Sequence, residues 1–122
     1  MLAPRKNLFL SDIRSVAIGM DYGYGIDSRG ALHMWGYEPN NNMPTPSVVP
    51  GIAAAVFVTS TYDTTFVLKA DGSVIGFGNN NKGAFGDGTQ PKRSPTLLPG
   101  VPAFTAIASD WSANTIGLTA DG

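Results

Sequence analysis

The chain contains no cysteine. Disulfides, thiolate nucleophiles and cysteine-based zinc sites are therefore excluded together, and either redox compartment stays open. Histidine occurs once, as His33, and glutamate once, as Glu38. Zinc bound by one imidazole and carboxylates is poor ligand chemistry for that metal, so no metal site and no cofactor are expected. Only 14% of the residues are charged and the formal net charge is −1. An average chain carries roughly a quarter charged residues. Nothing here steers the protein to nucleic acid or to an anionic membrane. No apolar run approaches the roughly 20 residues that span a bilayer, so membrane insertion is not expected. Arg5 and Lys6 near the start are not followed by an apolar stretch of signal-peptide length.

What the chain has in quantity is turn-forming residues, with 15 Gly and 9 Pro among 122 residues. Both disfavour helix interiors. They suit short strands joined by tight turns. A phrase recurs among them. Leu68-Lys69-Ala70-Asp71-Gly72-Ser73-Val74-Ile75-Gly76-Phe77-Gly78 runs in step with Ile26-Asp27-Ser28-Arg29-Gly30-Ala31-Leu32-His33-Met34-Trp35-Gly36. The chain ends on the opening of the same phrase, Leu118-Thr119-Ala120-Asp121-Gly122. The marker glycines Gly30, Gly72 and Gly122 are spaced by 42 and 50 residues. The difference of about 8 falls in the Gly-rich loop after Gly78. Fourteen places before each marker stand Val16, Val58 and Ala108. A period of this length signals a repeat architecture.

Within each unit the runs read as strands. Residues 13–18, 53–59 and 104–109 form one set, 22–27, 64–69 and 114–119 a second, and 31–35 and 73–77 a third. They are short and rich in Val, Ile, Thr and aromatics. Asp-Gly or Arg-Gly between the second and third runs is a hairpin signal, because glycine supplies the positive φ of the turn. Three to four antiparallel strands per unit make one propeller blade. The expected fold is all-β, a partial β-propeller of two to three blades. Residues 1–12 form a lead-in, 13–52 a degenerate first repeat, 53–103 a full second repeat and 104–122 a truncated third, all in one structural domain.

The second unit continues Gly78-Asn79-Asn80-Asn81-Lys82-Gly83-Ala84-Phe85-Gly86-Asp87-Gly88-Thr89, then Ser94-Pro95 to Pro99-Gly100-Val101 and Ile107-Ala108. It resembles the repeat of the regulator of chromosome condensation (RCC1-type) family, with Asp71, Gly72, Val74, Gly78, Asn80, Gly83, Gly86 and Gly88 on signature positions. Phe77 stands for the usual Trp. The first unit keeps Gly30, Leu32, Trp35 and Gly36 and replaces the loop with residues 37–42. The resemblance covers about two and a half repeats from Ile13 onward. It implies propeller blades, and it implies nucleotide exchange on a small GTPase as one activity of the family. The signature residues are structural; no catalytic residue is assigned.

Blades stack on their neighbours, so Ile13, Val16, Val56, Val58, Phe66, Leu68, Phe104 and Ile107 are expected between blades. An isolated run of blades leaves two apolar end faces. The rest of a longer chain, self-association or a partner protein would cover them, and ending in mid-hairpin favours the first. His33 reads as a strand residue beside Trp35. The aspartates before glycine read as turn residues, and Asp12, Asp21, Asp27, Glu38, Asp63 and Asp110 are scattered. The loop from Gly78 to Gly83 lacks the ending of a phosphate loop. Asn40-Asn41-Asn42 and Asn79-Asn80-Asn81 read as turns. With exposed aromatics such as Tyr37 or Tyr62, they could also form a carbohydrate surface. Lys92-Arg93 is too small a cluster for a nucleic-acid footprint. The expected function is a non-enzymatic binding or structural module with a protein or surface-glycan partner. Guanine-nucleotide exchange and lectin-like binding are the alternatives. A virion or extracellular surface is favoured over the cytoplasm, from the uncharged, Asn/Thr/Gly-rich composition.

Overall fold

The computed structural model describes residues 10–19, 21–38, 41–62, 64–79 and 93–122. Ten strands account for most of them, and no helix occurs among the described residues. The first sheet comprises β1 (Ile13–Ile18), β2 (Tyr22–Asp27), β3 (Leu32–Glu38) and β4 (Asn41–Val48). The second comprises β5 (Ala55–Ser60), β6 (Thr64–Lys69), β7 (Val74–Gly78) and β8 (Arg93–Leu97). The third pairs β9 (Phe104–Ser109) with β10 (Thr115–Thr119). Spatial order follows chain order in the first two sheets, and every pairing is antiparallel. Such up-and-down sheets need only hairpin connections, which the Gly-rich turns supply.

The sheets pack face against face through their first strands, β5 on β1 and β2, and β9 on β5 and β6. Between the first two sheets lie Tyr24, Ile26 and Leu32 from one side and Ala55, Val58, Val67, Ile75 and Phe77 from the other. Between the second and third lie Phe66, Leu68, Val74 and Ile107, with Phe104 and Leu98 packed around them. A strand alternates its side chains between two faces. In β6, Val67 therefore enters the first layer while Phe66 and Leu68 enter the second, and residues Thr64 to Leu68 are buried throughout. Each large side chain so enclosed contributes about 1.5–3 kcal/mol. A buried hydrogen bond crosses the first layer, joining Tyr24 Oη and Thr65 Oγ1 at 2.7 Å.

Strand pairing supplies the equivalences between sheets. Val16 lies opposite Gly25, Val58 opposite Val67 and Ile107 opposite Gly117. The third member of this set is Ile107, one place before the Ala108 expected from spacing. The turn between β9 and β10 encloses five residues between the closing pair, against four between β5 and β6. That extra residue slips the register by one, and a one-residue slip exchanges the two faces. Two of the expected inter-blade residues are not enclosed. Val16 is 69% exposed, because among the described residues no sheet lies beside its face of β1; Val56 is 49% exposed. The pairing steps from Ala55 to Phe57, so Val56 is the extra residue of a bulge and turns outward. Asn41 and Asn42 are also not turn residues. They begin β4 and pair with Glu38 and Tyr37.

Gly72 has φ of +85°, and a Cβ there would lie 2.8 Å from the Ala103 Cβ and 3.0 Å from the Phe104 carbonyl oxygen. Gly51 has a similar φ of +80° but open space around it. Gly51→Ala is expected to cost about 1–2 kcal/mol, from the left-handed backbone alone. Gly72→Ala adds a steric term of about 1–3 kcal/mol. Urea unfolding of the two variants side by side measures the difference.

Candidate functional site

Two of the marker glycines, Gly30 and Gly72, sit where one blade touches the next. Gly30 closes the β2–β3 turn with φ of +79°, and a Cβ there would lie 2.8 Å from the Ala54 Cα. Its carbonyl accepts from the Ala55 amide at 3.1 Å. Gly72 repeats the arrangement, its carbonyl accepting from the Phe104 amide at 2.9 Å. A turn glycine thus does two jobs, reversing its own hairpin and capping the first strand of the following sheet. Gly36 and Gly78 have φ of +129° and +102° and lie where the third and fourth strands shift register. A Cβ on Gly36 would strike the Asp21 carbonyl and the Tyr22 Cα. Trp35 lies on β3 with its indole across Gly23, whose Cβ would fall 2.6 Å from the ring. Asn80, Gly83, Gly86 and Gly88 lie outside the described residues.

The turn is ordered differently in each blade. In the second, Asp71 Oδ1 accepts from the Ser73 amide at 3.0 Å. In the third, the Thr119 hydroxyl donates to Asp121 at 2.7 Å. In the first, Arg29 takes the place of Asp71 and the carboxylate moves two residues upstream. Asp27 Oδ1 accepts from the amides of Arg29 at 2.9 Å and Ala31 at 3.1 Å. Its Oδ2 accepts from His33 Nε2 at 3.0 Å and from the Arg29 guanidinium at 3.3 Å. A carboxylate only accepts, so Nε2 of His33 carries the proton. The Asp27 side chain is 3% exposed. The hydrogen bond from His33 holds its carboxyl well below the usual carboxylate range; burial opposes this, and the Ala31 and Arg29 donors reinforce it.

In the sequence Asp27 is one of several scattered acids and His33 a strand residue beside Trp35. The β2–β3 register brings the two together, since His33 pairs with Gly25 and Asp27 stands diagonally two places on. The carboxylate is engaged by two amides and two side chains, which makes it a turn anchor. An open cavity of about 280 Å³ adjoins it, lined by Ser11, Asp12, Asp27, Ser28 and Arg29. Among the described residues no three His, Asp or Glu side chains gather as metal ligands.

A second feature lies on a rim. Tyr62, in the β5–β6 turn, and Trp111, in the β9–β10 turn, meet edge to face with ring centroids 5.8 Å apart. Tyr62 is 41% exposed and Trp111 62%. Asp110 shapes the Trp111 turn by accepting from the Ser112 and Asn114 amides, each at 2.9 Å. Tyr62 is visible in the sequence as a candidate exposed aromatic. Trp111 is not, because nothing in the chain tells that two turns 49 residues apart come together.

No protein-family model matches the chain, and no curated protein is found similar to it in sequence. Solved structures do match. Human WBSCR16 aligns with 88% of this chain and 31% of its own, at 20% identity and a TM-score of 0.74. Prp20p of Saccharomyces cerevisiae aligns with 93% of this chain and 32% of its own, at 16% identity and a TM-score of 0.72. Yeast RCC1 (Prp20) bound to Kap60 gives 93%, 31%, 15% identity and a TM-score of 0.69. The fold is a partial β-propeller of the RCC1 kind. This chain spans about a third of each of those relatives in structure. Prp20p was described together with its binding to Gsp1p and histones.

The carboxylate anchor gives a pH-dependent expectation. A depressed folded-state pKa means that Asp27 stabilises the fold above the unfolded value of about 3.9, and that the contribution is lost as pH falls through the folded-state value. Asp27→Asn is expected to lower stability by about 1–2 kcal/mol at neutral pH, as for a loss of charge-assisted hydrogen bonds. The gap between wild type and variant should narrow progressively on acidification below about pH 4. Thermal melts of both proteins across that range measure it.

Proposed function

We propose that the chain is a non-enzymatic binding module in which stacked blades hold a rim that engages a protein partner. The observation that carries this reading is the exposed Tyr62–Trp111 pair, donated by turns of two adjacent blades. Propeller blades supply a rigid frame, and loops at their ends are free to vary and to bind. Tryptophan and tyrosine are the residues on which protein contacts most often concentrate their energy. A protein partner is also in keeping with the proteins whose blades this chain resembles, since Prp20p binds Gsp1p and histones and yeast RCC1 binds Kap60. The Asp27–His33 pair, the closest approach to an acid–base dyad among the described residues, is spent on a turn.

The blades also present apolar end faces, at Val16 and Ile18 on one side and Ile116 and Leu118 on the other. Such faces are too apolar to be left to solvent in a working assembly. They are covered by the rest of a longer chain, by self-association or by a partner protein. The low charge and high Asn, Thr and Gly content suit a virion or cell surface. Nucleotide exchange on a small GTPase is the alternative that the likeness to Prp20p favours, and glycan binding the one that exposed aromatics favour.

A binding panel separates these readings. The chain is offered to a nucleotide-loaded Gsp1p-type GTPase, to histones and to a glycan array, beside its Trp111→Ala variant. The expected result is saturable binding to a protein ligand that the variant weakens by about tenfold or more. Accelerated nucleotide release from the GTPase would replace this reading with exchange. Glycan binding lost in the variant would replace it with a lectin.

A further inference from the structure

The turns that join the first and second strands of the three sheets, residues 19–21, 61–63 and 110–114, lie on one rim. A Cβ on Gly19 would fall 3.1 Å from Ser60 Oγ at the mouth of the second turn, and Tyr62 of the second meets Trp111 of the third. The sequence of these turns holds Asp21, Asp63 and Asp110, one to a turn, and no lysine or arginine. The cations among the described residues stand elsewhere. Arg14, Arg29 and Lys69 lie towards the opposite rim, and Arg93 opens β8, two strands out from the β5–β6 turn.

One of the three turns departs from the others. Between its closing pair the β9–β10 turn is a residue longer than the other two, and it presents Trp111 at 62% exposed. Its backbone is held without help from the indole. The Asp110 amide donates to the Asn114 carbonyl at 3.0 Å, and Asp110 Oδ2 accepts from Asn114 Nδ2 at 2.9 Å. Together with the two amides on Oδ1, these bonds order every side of the turn. The hydroxyls of Ser109 and Thr115 meet across its base at 2.9 Å. Ala113 has φ of 73°, a left-handed backbone that few non-glycine residues adopt. Tyr62 comes from a sheet that has a neighbour on both faces, and its ring meets the indole at 69°, which fixes the indole from behind. The tryptophan is thus pre-positioned on the rim and serves neither the core nor its own turn.

From this we propose that the Trp111 turn takes an arginine side chain from a basic segment of a partner protein, the guanidinium stacking on the indole and donating to the Asp110 carboxylate. Among aromatic faces that of tryptophan attracts a cation most strongly. A guanidinium is flat enough to stack there while its edge donors pair with a carboxylate. Asp110 adjoins Trp111 in the chain, and each carboxylate oxygen has two lone pairs. A purely apolar occupant would cover the indole but strip water from Asp110 without replacing it. The aspartates of the neighbouring turns add to the preference for a basic segment. The inference rests on the rim-binding reading and names the chemistry of the group that the rim takes.

The test is titration calorimetry of the whole chain with an octa-arginine peptide and with its octa-citrulline counterpart, which keeps the shape and loses the charge. The arginine peptide should bind saturably and more weakly as salt is added, and the citrulline peptide at least about tenfold more weakly. Trp111→Ala should weaken the arginine peptide by about three- to thirtyfold. Trp111→Leu stands in if that variant fails to fold. Asp110→Asn keeps an oxygen for the Ser112 and Asn114 amides and removes only the charge, so a loss of about two- to fivefold is expected. Arginine binding that Trp111→Ala leaves unchanged is general attraction between a cationic peptide and an acidic chain, and overturns the proposal. Equal binding of the citrulline peptide, or no binding of either, overturns it too. If a protein ligand of the panel then still binds through Trp111, the rim reading stands and only the arginine contact falls. Arginine binding through Trp111 with no protein ligand in the panel upholds the contact and removes only the wider rim reading.

Discussion

Everything in this molecule depends on one sheet packing against the next. A single four-stranded antiparallel sheet has two faces and cannot bury both alone. The second blade is the only one of the three described that is enclosed on both sides, and its β6 is buried from Thr64 to Leu68. The contact has an apolar part and a polar part. Side chains such as Phe66, Leu68 and Ile107 leave water together, while a turn carbonyl at Gly30 or Gly72 caps the first strand of the neighbour. The apolar part supplies most of the stabilisation, and the hydrogen bond fixes where one blade sits on the other.

This pairing of tasks explains why glycine marks the repeat. An alanine there would face a strained backbone and a neighbouring main chain at 2.8 Å for Gly30 and 3.0 Å for Gly72. The other signature residues tolerate exchange when the physical task is met otherwise. The first blade replaces Asp71 with Arg29 and recovers the turn through Asp27 and His33. It also replaces Val67 and Thr65 with Gly25 and Gly23, and lays Ile13 and Trp35 over them. The outward face of that blade thus differs chemically from the faces between blades, although its backbone is the same.

Function on such a scaffold belongs to what the stacking leaves uncovered. The rim gathers turns from successive blades, so residues remote in sequence, such as Tyr62 and Trp111, form one surface. The outer faces of the first and third sheets expose apolar residues, Val16 and Ile18 on one and Ile116 and Leu118 on the other. Both kinds of surface are built from the repeat, and both vary where the repeat varies.

Eight of the ten strands and the hairpin turns at Gly30 and Gly72 were legible in the residues, because short runs rich in Val, Ile, Thr and aromatics and glycine-bearing turns are local signals; β4 and β8 were not. The stacking was legible too, because Val58, Phe66 and Leu68 have no other place to be buried. The details that escaped were those set by register and by neighbours. One extra residue in the β9–β10 turn moved Ile107 into the position assigned to Ala108. A bulge turned Val56 outward, and a diagonal across β2 and β3 brought Asp27 to His33. Composition and spacing determined that this chain is a run of antiparallel blades. Only the tertiary structure decided which chemically identical positions are covered, since Val16 and Val58 are the same residue in the same place and differ in whether another sheet lies beside them.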